Sequence, residues 1–335
     1  VPWPLRHHRF GTATPVPPPR HYRFGTVTPG AAAHRRPPAH TRAWEQVHTA
    51  RRATPRPPLV QRPARGPYLE ATAMDLGLAD HAFLVTGGSS GVGLATVRAL
   101  LDEGAGVATC GRDAERLDAA AQRLDAAPGR LFTGVCDVRD AGQMCAFTER
   151  AAAHFGRLDG LVNNAGRSRM QRLDETTADD WRDELELKFA GVLNPLAAAR
   201  EHLRAAPAPA VVNINAVLAK QPEPRLIATG AARAGVLNLS AALATELAPE
   251  RIRVNSVCLG LIDTGQWTRR HAAAGTALSY QEWQRELAAD RGIALGRLGR
   301  AEEVAYAVVA LLSPRASYIT GTSIDVCGGV GRGIL

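Results

Sequence analysis

The sequence predicts an α/β protein, a single doubly wound parallel sheet with helices on both faces, preceded by a disordered N-terminal tail. Three observations carry this. Short apolar runs ending in small or amide residues alternate with longer Ala/Leu-rich stretches of helical period, the signature of strands joined by crossover helices. The first such run feeds a glycine-rich turn that opens a helix. The composition also changes abruptly at residue 74.

Residues 1–73 hold 14 of the 22 prolines, twelve arginines, no lysine and only two acids, Glu45 and Glu70. They show no apolar period, and a segment so charged and proline-rich cannot bury enough apolar surface to fold. "RHHRFGTATP" at 6–15 returns as "RHYRFGTVTP" at 20–29, two copies, too few for a solenoid. The tail is expected to be upstream sequence with the true start at Met74. An organelle transit peptide and a basic arm for anionic partners are the alternatives. The remaining 28 basic and 30 acidic residues nearly balance, so the net charge of +8 belongs to the tail and does not mark a nucleic-acid-binding domain.

From Met74 to residue 335 the pattern is that of one domain. "AFLVTGG" (82–88) reads as strand then turn, "GVGLATVRALLDEG" as a helix stopping at Gly104, "GVATCG" (106–111) as the second strand and "DAERLDAAAQRLD" as the next helix. "LFTGVCDV", "LDGLVNNAG", "PAVVNINAV", "IRVNSVCLG" and "TSIDVCGG" supply further strands. No continuous run approaches the roughly 18 apolar residues of a membrane span, so no membrane partner is expected. Five scattered cysteines without CxxC spacing predict a reducing, cytoplasmic setting and no metal site.

"TGGSSGVG" (86–93) places Gly87, Gly91 and Gly93 between a strand and a helix start. Small residues let the backbone approach a pyrophosphate, and the helix N-terminus offers unpaired N–H groups. A dinucleotide site therefore includes Gly87, Ser89, Ser90, Gly91, Val92 and Gly93.

These motifs together resemble the short-chain dehydrogenase/reductase family over residues 80–330. "TGGSSGVG" is similar to its TGxxxGxG, "CDV" (136–138) to its adenine contact, and "NNAG" (163–166) to a signature of the family. "APERIRVNSVCLGLIDT" and "GRLGRAEEVAYAVVALLSPRASYITGTSIDVCGG" follow its C-terminal pattern. The resemblance implies a Rossmann fold, a nicotinamide cofactor, and further cofactor contacts at Asp137, Val138, Asn164, Ala165, Gly166, Arg233, Gly260, Ile262 and Thr264. It also implies a homodimer or homotetramer built partly by helices around 180–203 and 229–248. NAD users of the family carry an acid where Gly111 stands. Here Arg112 follows instead, so NADP is the expected cofactor, with space and positive charge for a 2′-phosphate.

The same resemblance implies four catalytic positions, and all four are changed. The tyrosine position falls on Thr229, the lysine on Arg233, the serine on Ala216 beside the polar Asn215, and the asparagine on Lys188. A threonine hydroxyl is too weak an acid to replace a tuned phenol, and an arginine cannot shuttle protons. Lys188 is one of only two lysines in the chain, with Lys220. Near Arg233 and partly desolvated, its pKa should fall, as an acid–base or Schiff-base lysine requires. Ion pairing with Glu184 or Glu186 is the alternative reading. Candidate catalytic residues are thus Lys188, Thr229, Arg233 and Asn215.

The segment 263–292 stands where the family's substrate-covering flap lies, with Gln266 and Trp267 as candidate substrate contacts beside Arg167 and Arg169 after "NNAG". Cations at this mouth favour a small anionic substrate. The functions that fit are an NADP-dependent oxidoreductase acting on a C=O, C=C or C=N bond, a catalytically silent NADP(H)-binding protein, or a non-redox lyase or isomerase using Lys188.

Overall fold

The computed structural model describes residues 75–331; the expected tail, with Met74, lies outside the described residues. Seven parallel strands form one sheet in the order β3-β2-β1-β4-β5-β6-β9: β1 Ala82–Thr86, β2 Gly106–Gly111, β3 Leu131–Val135, β4 Gly160–Asn163, β5 Ala210–Ala216, β6 Arg253–Leu259 and β9 Ser323–Val326. A separate parallel pair joins β7 Ile262–Asp263 to β8 Gly299–Arg300. The eight helices among the described residues are α1 Gly91–Asp102, α2 Ala114–Leu124, α3 Ala141–Phe155, α4 Ala178–Ala205, α5 Ile227–Glu246, α6 Gly265–Ala274, α7 Tyr280–Asp290 and α8 Ala301–Leu312.

The strands read as continuous apolar runs because both faces of the sheet are covered. Phe83, Val85, Val107, Val162 and Val212 pack with Val97 and Leu100 of α1 and Val304 and Val308 of α8. Their neighbours Leu84, Ala108, Leu161 and Val211 point the other way, onto Met144 and Phe147 of α3, Leu187 of α4 and Val236 of α5. Consecutive residues alternate between the two cores because the pleat has period two.

Helix ends follow local chemistry. The side chains of Asp113 and Asp140 accept from Arg116 N and Gln143 N, starting α2 and α3. Thr177 and Asp180 form a capping box at α4, and Ser279 and Glu282 one at α7. α1 differs: Ser90 makes no side-chain cap, and no acid sits in the first turn. Its leading N–H groups are therefore open to an anion.

Helix α5 is long and apolar enough, by length and composition, to cross a membrane. Thr229, Arg233 and Asn238 interrupt it, so it holds no long continuous apolar run. In the fold it packs on β5 and β6, burying Val236, Leu243 and Ala244.

Candidate active site

The strand order reverses between β1 and β4, so their carboxyl ends open a crevice, the usual place for a ligand in such a sheet. β1 delivers the glycine loop here. Gly87 has φ 72°, and a Cβ on it would stand 2.9 Å from Ala165 Cα. A Cβ on Gly93 would run into the Gly87 carbonyl and the Asn164 amide. The two loops are stitched by side chains. Thr86 Oγ1 accepts from the N–H groups of Asn164 and Ala165, both at 3.0 Å. Asn164 Nδ2 donates to the Thr86 and Gly87 carbonyls at 2.9 and 3.1 Å. The Asn164 side chain therefore shapes the glycine loop. A third segment closes on it: Thr264, the N-cap of α6, lies 3.4 Å from where a Cβ on Gly91 would be. Gly260 is tied by its N–H to Val326 O at 2.9 Å, and a Cβ there would meet Cys327 Cα at 2.8 Å.

At the end of β2, Arg112 is exposed, and Arg116 Nη2 donates to Ser90 Oγ at 3.1 Å. The guanidinium of Arg116, which the sequence did not offer, thus borders the glycine loop. Asp137 receives Arg139 Nη2 and the Arg139 N–H, each at 3.0 Å, and these bonds hold its carboxyl below the usual range. The Val138 carbonyl accepts from Asn194 Nδ2 at 2.9 Å.

Across the crevice, α4 and α5 bring four polar side chains together. Glu184 has no exposed surface. Its Oε1 accepts from Lys188 Nζ at 2.7 Å and from Thr229 Oγ1 at 2.9 Å. Lys188 also donates to the Arg167 carbonyl at 2.6 Å. The Arg169 N–H approaches Thr229 Oγ1 at 3.3 Å. Glu184 Oε2 and Arg233 Nε are sealed from solvent with no hydrogen-bond partner among the described residues. Burial, then the Arg233 charge, pushes the Lys188 ammonium down to about 8, while Glu184 pulls the other way. Burial also lowers Arg233. Lys188, Asn215 and Arg233 line a cavity of about 20 Å³ with Asn163 and Ile214.

Asn215 is wholly buried and braces backbone: Nδ2 donates to the Arg233 carbonyl at 3.0 Å and Oδ1 accepts from Ala216 N at 2.8 Å. Expected as a catalytic candidate, it is held as a strut between β5 and α5.

Comparison with known proteins decides the family. A family profile described as Enoyl-(Acyl carrier protein) reductase matches residues 87–331. A 3-oxoacyl-[acyl-carrier-protein] reductase of Thermotoga maritima is 33% identical over 247 residues, 74% of this chain and 96% of that protein. A short-chain oxidoreductase of Pseudomonas aeruginosa PAO1, described as containing an atypical catalytic center, is 46% identical in its apo structure. The likeness covers 76% of this chain and 99% of that one, with a TM-score of 0.74. Its NADPH-bound structure is 47% identical, with a TM-score of 0.71 and 76% and 98% coverage.

The chain belongs to the short-chain dehydrogenase/reductase family.

The helix pair α6 and α7 follows β7. Gln266 and Trp267 sit in the first turn of α6, half-buried. Trp267 packs on a small apolar cluster of Ala288, Ile293 and Leu298, with its ring 6.1 Å from that of Trp283 and the Arg270 guanidinium 4.5 Å above it. Tyr280 OH donates to Asp263 Oδ1 at 2.5 Å and pins α7 to β7.

Several of the cations expected at this mouth are paired. Arg167 pairs with Asp183, and Arg169 with Asp180 and Asp183. Lys220 meets Asp325 and Arg291 meets Glu223, both at 2.6 Å. Asp180 and Asp183 on α4, Asp325 on β9 and Glu223 before α5 thus partner these four basic side chains.

Two residues that shape the site, Thr86 and Arg116, were not among the expected site residues. Thr86 and Arg116 carried signals, the first within the glycine motif and the second four residues after Arg112. Glu184 was noted only as a partner for Lys188, and nothing local foretold that it would also reach Thr229 on another helix.

Proposed function

We propose that this protein is an NADP-dependent oxidoreductase that reduces a C=O, C=C or C=N bond of a small molecule, with Lys188 as its proton donor. The observation that carries the reading is the Lys188 ammonium itself, 8% exposed, tuned to about 8 and beside Arg233 near the NNAG loop.

The residues present fit the cofactor. The open N-terminus of α1 and the backbone of Ser89, Ser90, Gly91, Val92 and Gly93 suit a pyrophosphate. Arg112 and Arg116 suit a 2′-phosphate, Asp137 and Val138 an adenine, and Ala165 and Gly166, Gly260, Ile262 and Thr264 the walls of the crevice. The NADPH-bound relative supports the preference for NADP. When bound, NADPH supplies a hydride.

The chain's own task is the proton. Lys188 Nζ has three hydrogens; the Arg167 carbonyl and Glu184 take two, which leaves one to give. An acid poised near neutrality is the useful kind, and such a donor is worth roughly 100- to 10,000-fold in rate. Thr229 is buried and bonded to Glu184, so at its position it orients rather than titrates. Arg233 holds positive charge without exchanging protons. Self-association through α4 and α5 belongs to the same reading: Leu185 and Leu193 on α4 stand 39% and 41% exposed.

A second reading, an NADP(H)-binding protein without turnover, draws on the deep burial of Lys188 and Thr229. One experiment separates the two. The protein is titrated with NADPH and then offered neutral and carboxylate-bearing enones, imines and ketones while NADPH fluorescence is followed. Consumption with any of them supports the enzyme, tight binding with none supports the silent protein, and no binding at millimolar NADPH overturns both.

A further inference from the structure

We infer that Glu184 is the positioning residue of this site: one oxygen of its sealed carboxylate grips both the Lys188 ammonium and the Thr229 hydroxyl, keeping the amine charged and aimed. Its effect on turnover rests on the reading of Lys188 as proton donor; its effect on the amine does not.

The geometry is two helical pairs laid face to face. Glu184 stands one turn before Lys188 on α4, and Thr229 one turn before Arg233 on α5. Residues four apart share a helix face, so each helix presents two of the four groups to the other. The bond from Thr229 to Glu184 crosses between the helices at 2.9 Å, and the one from Lys188 to Glu184 runs along α4 at 2.7 Å. Both end on Oε1, while Oε2 has no partner among the described residues. A carboxylate with no exposed surface is costly unless it is paired and hydrogen-bonded. A site that keeps one has a use for its charge.

That use follows from the charges around Lys188. From α5 it faces Arg233, and from the loop after β4 it faces Arg167, itself paired with Asp183. Both are positive, and burial acts in the same sense. Glu184 is the negative charge set against all three. Without it the amine sheds its proton at lower pH. With it the ammonium survives to about pH 8.

The chain makes the test clean, because Lys188 and Lys220 are its only lysines. The full-length protein is labelled with trace acetic anhydride across a pH series, and each lysine is read by mass spectrometry. Lys188 should label with a midpoint near 8. In Glu184→Gln the midpoint should fall by about one unit or more, the usual effect of losing an opposite charge at contact. Glu184→Asp, which keeps the charge at longer reach, should fall less, and Lys220 should not move.

A folded Glu184→Gln with an unmoved midpoint overturns the inference. Where that variant does not fold, an unmoved Glu184→Asp does the same. The alkaline limb of turnover should move with the midpoint. A midpoint that moves while the limb stays keeps Glu184 in its role and removes Lys188 as donor. An unmoved midpoint alongside a dead Lys188→Met leaves Lys188 and removes Glu184.

Discussion

At the carboxyl ends of β1 and β4 the working groups are backbone: Gly87, Gly88 and Gly93 pack so closely that a methyl on any of them meets Ala165, Thr109 or the Gly87 carbonyl. Between α4 and α5 the working groups are side-chain charges, Glu184, Lys188 and Arg233, with one hydroxyl between them. The first region tolerates almost no added atom and little depends on pH. The second tolerates isosteric change but depends on every proton. If the second region holds the proposed proton donor, most of binding and most of chemistry can be damaged separately.

The sharpest separation is expected from Lys188→Met. Turnover should fall roughly 100- to 10,000-fold, the worth of a placed proton donor. NADPH affinity should change by no more than about threefold, or about 0.7 kcal/mol. Rates of NADPH oxidation beside a fluorescence titration measure both. Turnover kept within tenfold would take the proton from some other group.

Gly93→Ala is the mirror experiment. Its methyl is driven against the Gly87 carbonyl and the Asn164 amide, and neither can yield without breaking the bonds from Asn164 to Thr86 and Gly87. NADPH affinity should drop by about 100-fold or more, equivalent to about 2.7 kcal/mol. A normal titration would mean that the loop shifts freely and that the cradle is not rigid.

The contrast also explains what could be read in the sequence. The glycine loop was legible because its work is local: a strand, a tight turn and a helix start lie within a dozen residues. The strand "GVATCG" coincides with β2 for the same reason, since its pattern of burial is written in its own residues. The charge cluster was half legible. Glu184 and Lys188 lie four apart on one helix, so their pairing was a stated alternative. The depression of Lys188 by Arg233 followed from the family's register. The bond from Glu184 to Thr229 spans 45 residues and depends on how α4 and α5 are packed, which no local pattern encodes. The pairing of Arg167 and Arg169 with Asp180 and Asp183 was invisible likewise, although the acids stand in plain view in "DDWRDE". Asn215 looked catalytic because it is polar beside the family's serine position; it lines the cavity with Lys188 and Arg233, with its amide engaged on backbone.

Arg112→Ala tests the binding side more gently. The side chain is exposed at the end of β2, so its loss should weaken NADPH by roughly tenfold, about 1.4 kcal/mol, and leave NADH within error. Arg116→Ala should do less, because that guanidinium is already engaged with Ser90. Equal losses for NADH and NADPH would mean that neither arginine meets a 2′-phosphate.

The smallest effect is on stability and belongs to the charge side. Lys188 has a folded pKa of about 8 against 10.5 when unfolded. Below pH 8 both states hold the proton, and the buried ammonium is a standing cost. Between about 8 and 10.5 the unfolded chain holds the proton while the folded one sheds it. Stability gains wherever the unfolded state binds more protons, so this residue's share should rise with pH, by about 1 kcal/mol between pH 8 and 9. Cys258 acts in the opposite sense, since burial pushes its thiol up to about 11. The quantity to measure is therefore the difference between the wild type and Lys188→Met in urea unfolding at the two pH values, where Cys258 cancels. A difference that grows in favour of the wild type marks a lysine strained by burial and Arg233. A constant difference would mean that Glu184 cancels their push entirely, and the amine would then titrate like any surface lysine and be useless as an acid near neutrality.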